Sequence, residues 1–552
     1  MAGRSAKGAR LRTAEIDEQV SAPRRSTRAL AVAAIVAAVA LLAGCLYQPG
    51  NPGAAAITLT IDVSLDQHPI SPLIYGLNTN DAATVASTRT TALRMGGNRW
   101  TAYNWENNAS NAGSDWCFQN DGLLSASNTP GDAVKPTITQ AKNAGAAAIV
   151  TIPIVDYVAA DKNGGCDVRN SGANYLQTRF KQNKSTKPSA LSLTPNATDG
   201  TVYEDEYVNW VKQAVPGANV VFSLDNEPDL WSSTHAEVHP SAVTYTELAN
   251  RNIDYATAIK RVWPTAKVTG PVNYGFNGFE SLQNAPDASG KGVFLDWYLD
   301  RIKAAGTTAG LRLVDDLDLH WYPEATGGGV RITGTDTTAA VVAAREQAPR
   351  SLWDPTYVES SWITTDYGYG AIRLIPRTKD RIAAHYPGTG VAFTEWNYGG
   401  GGHISGAIAC SDVLGIFGRE GVDLATYWPL QSDESYAYGA FAAFRNYDGA
   451  GGHFGDTSVR ATTTDTAGSS VYAAIDAANH NRVVIVAINK ATTAKTTAVK
   501  ITGEQVFGHA KTYTLTGSSP TPKAGATLTS TAQNAFLYTM PAQSVTVIVP
   551  ST

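Results

Sequence analysis

The sequence lacks most of the residues and spacings by which several classes of protein are recognised. Only four cysteines occur in 552 residues, and no two of them form a Cys-x-x-Cys pair of the kind that binds zinc. Charged residues make up 16% of the chain and the net charge is −5, which leaves no basic footprint for nucleic acid. No Gly-x-Ser-x-Gly motif supports an esterase or protease, and no Gly-x-Gly-x-x-Gly follows an apolar run to support nucleotide binding.

Apolar and aromatic residues are plentiful instead. The chain is 43% hydrophobic and contains 12 Trp and 24 Tyr. Its length exceeds what one hydrophobic core usually serves, so we expect a large domain and a smaller one. Trp and Tyr present flat apolar faces that suit stacking on sugar rings, although most such residues simply fill a core.

The first 45 residues have the parts of an export signal. Three arginines between positions 24 and 28 precede an apolar run over Ala29–Ala43. The run ends in Leu42–Cys45 (LAGC), which resembles a bacterial lipobox and predicts that Cys45 carries lipid on the outer face of the cell membrane. An uncleaved anchor is the alternative, because Ala29–Tyr47 approaches the roughly 20 residues that a membrane helix needs. Both interpretations place the rest of the chain outside the cytoplasm.

The other three cysteines allow one disulfide. An oxidising compartment permits the bond, and we expect it between Cys117 and Cys166. Cys410 is then a small buried residue rather than a nucleophile.

Eight short apolar strands separated by helical stretches follow an N-terminal strand. Residues 46–56 are rich in Gly, Pro and Ala and predict a flexible tether, and Ile57–Leu65 alternates like a half-buried strand within residues 57–72. Strand–helix alternation predicts a parallel sheet, and eight repeats predict a (β/α)8 barrel over residues 73–445, with a doubly wound sheet as the alternative. The predicted strands are Ile74–Leu77, Ala92–Met95, Ala147–Pro153, Val220–Leu224, Lys267–Gly270, Leu317–Trp321, Val391–Thr394 and Asp423–Trp428.

The helical period disappears after the barrel, and residues 446–552 predict an antiparallel β-sandwich. The lone strand at Ile57–Leu65 has no partner nearby in sequence, so we expect it to join this sandwich, which would then contain both chain ends. The predicted strands are Ser470–Ile475, Arg482–Asn489, Thr496–Ile501, Lys511–Leu515, Ala535–Thr539 and Ser544–Val549.

Two carboxylates stand at the carboxyl ends of predicted barrel strands. Glu227 follows strand four and Glu395 follows strand seven, at the end of a barrel where active sites are built. Hydrolysis of a glycosidic bond needs two carboxyl groups, one protonated and one ionised. Either residue alone is more often a surface or salt-bridged carboxylate, but two of them, each in an apolar and aromatic segment with an Asn nearby, favour catalysis.

Asn226-Glu227-Pro228 after strand four, together with a Glu after strand seven, resembles the clan of retaining glycosidases built on (β/α)8 barrels. Longer stretches resemble glycoside hydrolase family 44, the endoglucanases and xyloglucanases, from about Ile74 to the C-terminus. These stretches are Tyr103–Trp116 (YNWENNASNAGSDW), Asp225–Trp231 (DNEPDLW), Ala371–Arg377 (AIRLIPR), Thr394–Gly400 (TEWNYGG), His403–Gly406 (HISG), Gly415–Val422 (GIFGREGV) and Arg445–Gly449 (RNYDG).

The resemblance implies a barrel with a sandwich made from both chain ends, and hydrolysis with retained configuration. It makes Glu227 the general acid/base and Glu395 the nucleophile. It also implies that Asn226 hydrogen-bonds the sugar 2-hydroxyl and that Arg94, at the end of strand two, keeps the nucleophile ionised. An ordinary salt bridge is the less favoured alternative for Arg94.

The remaining substrate-binding candidates rest on position alone. His320 and Tyr322, on strand six, either act on Glu395 or substrate or are barrel residues with satisfied hydrogen bonds. Of the four stacking candidates among the tryptophans, we expect about half to lie in the core. The full set is Asn98, Trp105, Trp231, His320, Tyr322, Trp396, Tyr398 and Trp428.

The resulting hypothesis is a monomeric, extracellular endo-β-1,4-glucanase that acts on β-glucan or xyloglucan without a required cofactor. The sequence allows a structural calcium ion, but no ligand loop identifies its site. No catalytic metal is expected. The alternatives are a mannanase or xylanase of the same clan, with the same chemistry in a different cleft, and a surface lipoprotein that binds glycans without cleaving them. Loss of either carboxylate would mark the lipoprotein, and both are present.

Overall fold

The computed structural model of the protein describes residues 46–552. The predicted export signal and the lipobox at Cys45 lie outside the described residues. None of the helices in the described part combines the length and apolar character that crossing a bilayer requires. Residues 46–56, predicted as a flexible tether, are hydrogen-bonded to the C-terminal domain: Tyr47 N donates to Gly503 O at 2.8 Å, and Gly50 N donates to Gln533 O at 2.7 Å.

Eight parallel strands form a closed barrel. Each strand pairs with its neighbours in sequence order, and strand eight closes the ring on strand one, where Thr426 lies opposite Gly76. The strands are short runs of apolar residues that are buried along nearly their whole length, as expected for a barrel covered by helices. Strands one to eight are Gly76–Leu77, Ala92–Met95, Ala147–Ile152, Asn219–Leu224, Lys267–Tyr274, Asp316–Trp321, Gly390–Trp396 and Leu424–Tyr427.

A helix follows each barrel strand before the next one begins. The fourth begins where Thr244 accepts a hydrogen bond from the backbone of Glu247, the Thr-x-x-Glu pattern that starts many helices. The seventh is buried on all sides from Ile404 to Gly418, because the barrel covers one face and the C-terminal domain covers the other. The eight helices are Ala82–Thr88, Lys135–Asn143, Glu204–Ala214, Tyr245–Val262, Phe294–Ala309, Leu374–His385, Ile404–Glu420 and Ser435–Arg445.

Shorter elements lie in the loops of the barrel. The additional helices are Asn98–Thr101, Tyr175–Arg179, Trp231–Thr234, Gly275–Ser281, Ala339–Gln347 and Trp362–Asp366. The additional strands in these loops are Ser110–Asn111, Asn120–Asp121, Tyr157–Ala159, Phe180–Lys184, Thr201–Tyr203, Thr326–Gly327 and Val330–Arg331. The short strand His68–Pro69 precedes strand one and pairs with Thr457–Thr463 near the C-terminus. Cys117 and Cys166 form the predicted disulfide, with Cα atoms 5.3 Å apart, and Cys410 is a free, buried cysteine.

Both ends of the described chain form the smaller β-domain. Ile57–Asp62 pairs antiparallel with Thr457–Thr463 and parallel with Lys495–Thr502, so one pair in an otherwise antiparallel domain is parallel. Ile57, Leu59 and Ile61 point into its apolar core. The fold class predicted from the sequence is confirmed. The C-terminal strands are Thr457–Thr463, Ser469–Asp476, Asn479–Asn489, Lys495–Thr502, His509–Thr516, Ser519–Ala524, Leu528–Thr529, Ala535–Met540 and Ser544–Ser551.

Candidate active site

Glu227 is presented by a turn with an unusual backbone after strand four. Both Asp225 and Glu227 have positive φ angles, 69° and 44°, a region that non-glycine residues rarely occupy. The buried Asp225 carboxylate accepts hydrogen bonds from the Thr101 hydroxyl at 2.6 Å and from the Ile154 backbone at 2.7 Å. Glu227 N donates to Val272 O at 3.0 Å. These bonds from strand five and from the segments that follow strands two and three stabilise the turn and direct the Glu227 side chain into the barrel mouth.

Glu395 ends strand seven on the opposite side of the mouth. Its Oε1 accepts a hydrogen bond from Arg94 Nη1 at 2.7 Å, and its Oε2 accepts one from the Tyr322 hydroxyl at 2.7 Å. The Arg94 side chain is fully buried, so its charge interacts with Glu395 under little screening by solvent. A cation and a hydroxyl donor are the partners that an ionised carboxylate requires.

Asn226 is held in one orientation by two donors. Its Oδ1 accepts hydrogen bonds from Arg94 Nη2 at 2.8 Å and from Gly97 N at 3.0 Å. Because the oxygen is occupied, the Nδ2 amide is the group of Asn226 that is left to donate toward the cleft. Arg94 Nη1 also donates to Asn78 Oδ1 at 3.1 Å, so one guanidinium group connects Glu395 with both asparagines.

The carboxyl groups of Glu227 and Glu395 lie close together. An oxygen of each, together with a ring nitrogen of His320, falls within a mutual distance of 4.8 Å. Burial raises the pKa of Glu227 to about 7, which the charge of Arg94 opposes and that of Asp115 reinforces. Near neutral pH, one carboxyl group can therefore hold a proton while the other stays engaged by a cation.

His320 lies below both carboxyl groups on strand six. Its Nδ1 is 2.9 Å from Glu227 Oε1 and 3.5 Å from Glu395 Oε2, and its Nε2 is 3.1 Å from Thr394 Oγ1. Burial lowers the pKa of His320 to about 4, so the imidazole is neutral in the working range of most enzymes. Its ring nitrogens contact Glu227, Glu395 and Thr394 rather than the open cleft.

A cleft of about 420 Å³ opens above these residues. Asn98 and the half-buried Trp428 lie on its walls, as predicted, and Asn98 Nδ2 donates to Asp115 Oδ1 at 2.8 Å. Arg94 and His320 do not line the cleft but contact the residues that do. The complete lining consists of Gly97, Asn98, Asp115, Asn226, Glu227, Tyr274, Tyr322, Arg331, Thr333, Glu395, Trp428 and Leu430.

Of the four tryptophans predicted as stacking candidates, about half were expected to lie in the core. The stacking prediction is wrong for Trp105, Trp231 and Trp396, because each is at most 1% exposed. Trp105 stacks on the ring of Tyr207 with centroids 5.6 Å apart. Trp231 lies under the guanidinium group of Arg251 at 5.8 Å. These indole rings fill space between the barrel and its helices and have no face left for a sugar.

Two buried aromatic residues shortly after Glu395, Trp396 and Tyr398, have side chains that point away from the cleft. Trp396 points toward the outer helices, where it packs edge-on against Phe417 with centroids 5.5 Å apart. Tyr398 is also buried, and its hydroxyl accepts a hydrogen bond from Trp321 Nε1 at 3.1 Å, so its predicted place on the rim is wrong as well. Alternation along the strand explains Trp396, since neighbouring side chains point to opposite faces.

Four polar or aromatic residues of the cleft were not predicted from the sequence. Tyr274 lies at the end of strand five, which was predicted to stop at Gly270 because Pro271 interrupts the apolar pattern. Asp115 belongs to the stretch Tyr103–Trp116 that carried the family resemblance but has no signal of its own. Arg331 and Thr333 lie in the loop after strand six, where only the folded chain brings them to the mouth.

Potential metal ligands among the described residues converge in one place only. Glu227, His320 and Glu395 are the single group of three His, Cys, Asp or Glu side chains there with ligand atoms close enough to share an ion. Both Glu395 oxygens already accept strong hydrogen bonds, so this group fits acid–base chemistry better than a structural metal. A His-x-x-x-His pair, His235 and His239, does not converge, since each ring bonds a different glutamate. Calcium therefore stays a prediction without a located site.

Comparison with known sequences agrees with this geometry. The model of glycoside hydrolase family 44 matches residues 109–325. Endoglucanase A of Paenibacillus lautus is 40% identical over 520 residues, which cover 90% of this chain and 73% of that protein. A β-mannanase/endoglucanase A of Caldicellulosiruptor saccharolyticus is 39% identical over 521 residues, which cover 88% of this chain but only 38% of that protein.

Solved structures give the same result at the level of the fold. A family 44 xyloglucanase of Paenibacillus polymyxa, solved with xyloglucan, superposes with a TM-score of 0.86 and 39% identity. The match covers 90% of this chain and 99% of that one. A family 44 endoglucanase of Clostridium thermocellum gives a TM-score of 0.85 and 39% identity over 90% and 100% of the two chains. With two paired carboxylates at the mouth of the barrel and relatives that match it almost end to end, the chain belongs to glycoside hydrolase family 44.

Proposed function

We propose that the chain is a retaining endo-β-1,4-glucanase of the cellulase and xyloglucanase type, with Glu227 as acid/base and Glu395 as nucleophile. The observation that carries the proposal is the distance between the two carboxyl groups, whose nearest oxygens are within 4.8 Å. Retaining enzymes hold these groups about 5–5.5 Å apart, whereas inverting enzymes need about 6.5–9.5 Å to admit a water molecule.

In the first step, Glu395 attacks the anomeric carbon while Glu227 transfers its proton to the departing glycosidic oxygen. The pKa of Glu227, raised to about 7 by burial, keeps that proton available near neutral pH. In the second step, Glu227 takes a proton from water, the water oxygen bonds to the anomeric carbon, and Glu395 leaves. The Nδ2 amide of Asn226 is free to donate to the sugar 2-hydroxyl, a contact that strengthens in the transition state.

The proposed substrate is a β-1,4-linked glucan backbone. Support comes from the relatives, which are named as endoglucanases and a xyloglucanase, and from a cleft that is open to solvent. Trp428 is the stacking candidate on its wall, beside the exposed Leu430. A mannan backbone is the alternative, favoured by the name of one relative that this chain covers only in part.

We propose an extracellular, monomeric enzyme, attached to the outer face of the membrane through lipid on Cys45. The Cys117–Cys166 disulfide supports the location, since such bonds persist in oxidising compartments. The lipid rests on the sequence Leu42–Cys45 alone.

Azide rescue of two variants tests the assignment of roles. Glu395→Ala removes the nucleophile, so hydrolysis falls by several orders of magnitude, and azide restores turnover with inverted configuration. Glu227→Ala keeps its first step on an aryl glycoside with a good leaving group but loses the base, so azide gives a product of retained configuration. The anomers are read by NMR, with carboxymethyl-cellulose, xyloglucan and mannan compared for the wild-type enzyme.

Glu420→Gln, on the outer seventh helix, serves as the control and keeps wild-type turnover. The same anomer from both alanine variants, or near-native hydrolysis of glucan by either one, would refute the assignment. Cleavage of mannan alone would refute the glucan substrate but leave the chemistry in place.

A further inference from the structure

Thr394 connects the imidazole of His320 with a carboxylate buried under the active site. Its hydroxyl donates to Asp318 Oδ1 at 2.8 Å and lies 3.1 Å from His320 Nε2. All three side chains are fully buried between strands six and seven. Asp318 has no contact with the cleft, so a direct role on the substrate does not explain its position.

The donors around Asp318 determine the direction of the hydrogen bonds that link Asp318, Thr394 and His320. Its carboxylate also accepts from Thr394 N at 3.2 Å and from the Thr269 hydroxyl at 2.8 Å. A carboxylate with three donors around it acts as the acceptor in each bond. The single hydroxyl proton of Thr394 is therefore used on Asp318, and toward His320 the same oxygen can only accept.

His320 must then donate from Nε2. Burial lowers the pKa of His320 to about 4, so the ring is neutral near neutral pH and carries one proton. With that proton on Nε2, the Nδ1 atom presents a lone pair toward Glu227 Oε1, 2.9 Å away. Two lone pairs cannot form a hydrogen bond, so this contact is favourable only when Glu227 is protonated and donates.

We propose that Asp318 and Thr394 are positioning residues that fix the proton of His320 on Nε2 and thereby hold Glu227 in its protonated form. The inference rests on the acid role of Glu227 proposed above. After Glu227 has given its proton to the leaving oxygen, its carboxylate faces the Nδ1 lone pair. This repulsion makes the carboxylate a stronger base for the water molecule of the second step, which returns the proton.

Other charged or titratable groups also face Glu227 and His320. Arg94 favours ionised Glu227, whereas Asp115 favours its protonated form. A test must therefore change the hydroxyl of Thr394 and leave these groups in place. The facing groups are Arg94, Asp115, Asp229, Asp318, Tyr322 and Glu395.

Three substitutions isolate the hydroxyl. Thr394→Val removes it with little change in shape, and His320 can then move its proton to Nδ1 and donate to ionised Glu227. The basic limb of the kcat/KM profile on soluble β-glucan should shift to lower pH by about one unit, from near pH 7. Thr394→Ser keeps the hydroxyl and should keep the wild-type limb. Thr269→Val, the matched control, removes another donor to Asp318 without touching His320 and should also leave the limb in place.

A basic limb that stays unchanged in Thr394→Val, or that shifts as far in Thr394→Ser, would overturn the proposal. A loss of kcat/KM without a shift in pH would assign Thr394 a structural role only, and would also overturn it.

The tautomer of His320 can be measured without substrate. In ¹⁵N spectra of protein labelled at histidine, the His320 signals are assigned by their absence in His320→Gln. The proposal expects Nε2–H in the wild-type protein, and Nδ1–H or two protons on the ring would overturn it. If the tautomer is Nε2–H but no β-glycan is hydrolysed, the proposed function is refuted, whereas the hydrogen bonds from His320 through Thr394 to Asp318 are confirmed.

Discussion

At the scale of single residues, Arg94 connects more of the site than any role as a simple counter-ion would require. Its guanidinium group donates to Glu395, Asn226 and Asn78, which come from three different segments of the chain. Its planar, forked geometry allows these bonds at fixed angles, whereas an ammonium group offers one point of attachment. The positions of both Glu395 and the Asn226 amide thus depend on one buried side chain.

Arg94→Lys should lower kcat by about 10²-fold with a smaller change in KM, because the positive charge is kept but the placement of Glu395 and Asn226 is lost. Steady-state kinetics on soluble β-glucan check this. Arg99→Lys is the control: Arg99 pairs with Asp121 outside the cleft and its replacement should leave kcat within about twofold. Equal effects of the two substitutions would contradict the role of Arg94.

The sequence predicted most of the residues that lie at strand ends. It missed Tyr274, because strand five extends beyond its predicted end, and three residues that loops carry to the cleft. The barrel topology brings the ends of strands two, four, six and seven together, so Arg94, Glu227, Tyr322 and Glu395 could be grouped without coordinates. Alternation from Glu395 places Trp396 on the outer face of strand seven. Trp428 follows strand eight, and its burial depends on what packs over it, which no local pattern reveals.

At the scale of elements, the disulfide fixes a loop that reaches the cleft. The turn Gly113–Trp116 carries Asp115, and Cys117 follows it directly. The bond to Cys166 ties this loop to the segment after strand three, 49 residues later. Asp115 accepts a hydrogen bond from Asn98, and its charge raises the pKa of Glu227. The disulfide therefore supports one wall of the cleft.

Replacing both Cys117 and Cys166 with Ser should lower stability by about 2–4 kcal/mol, because the unfolded chain gains the freedom of the open loop. KM should rise more than kcat falls, since the disulfide supports a wall where substrate is proposed to bind, whereas the barrel holds the carboxylate pair. Thermal unfolding and kinetics with and without reductant measure both effects. The wild-type protein should approach the variant under reduction, and a variant that still responds to reductant would refute this explanation.

Element boundaries could be predicted where propensity and pattern agree. The second barrel strand, Ala92–Met95, was predicted to the residue, because its apolar residues stand between two threonines and two glycines. Thr457–Thr463 and Ser519–Ala524 were missed, since runs of Thr, Ser and Pro resemble loops and become strands only by pairing with neighbours.

At the scale of the whole molecule, a buried ion pair joins the barrel to the β-domain. Lys490 Nζ is 2.6 Å from Asp412 Oδ2, and both side chains are at most 2% exposed. Asp412 lies on the seventh barrel helix and also accepts a hydrogen bond from the Tyr472 hydroxyl at 2.6 Å. Both β-domain partners thus satisfy a charge that belongs to the barrel, and the two domains depend on each other for stability.

Lys490→Met should destabilise the protein by about 3–5 kcal/mol, because it leaves Asp412 buried without its cation. Calorimetry should detect a fall in Tm of roughly 3–5 °C, because a chain of this length has an unfolding entropy of about 1 kcal/mol/K. Arg460→Met breaks the exposed pair with Asp66 in the same domain and should cost less than about 1 kcal/mol. Similar losses for both variants would contradict the importance of burial, and adding Asp412→Leu to Lys490→Met should recover much of the stability.

The strand Ile57–Asp62 is synthesised long before the strands that pair with it. Thr58 N donates to Thr464 Oγ1, 406 positions later, and the parallel partner Lys495–Thr502 is made later still. Until then the first strand has an apolar face and two open edges, the features that chaperones and proteases recognise. A chain that ends anywhere within the barrel therefore keeps the apolar face of this strand uncovered and both of its edges unpaired.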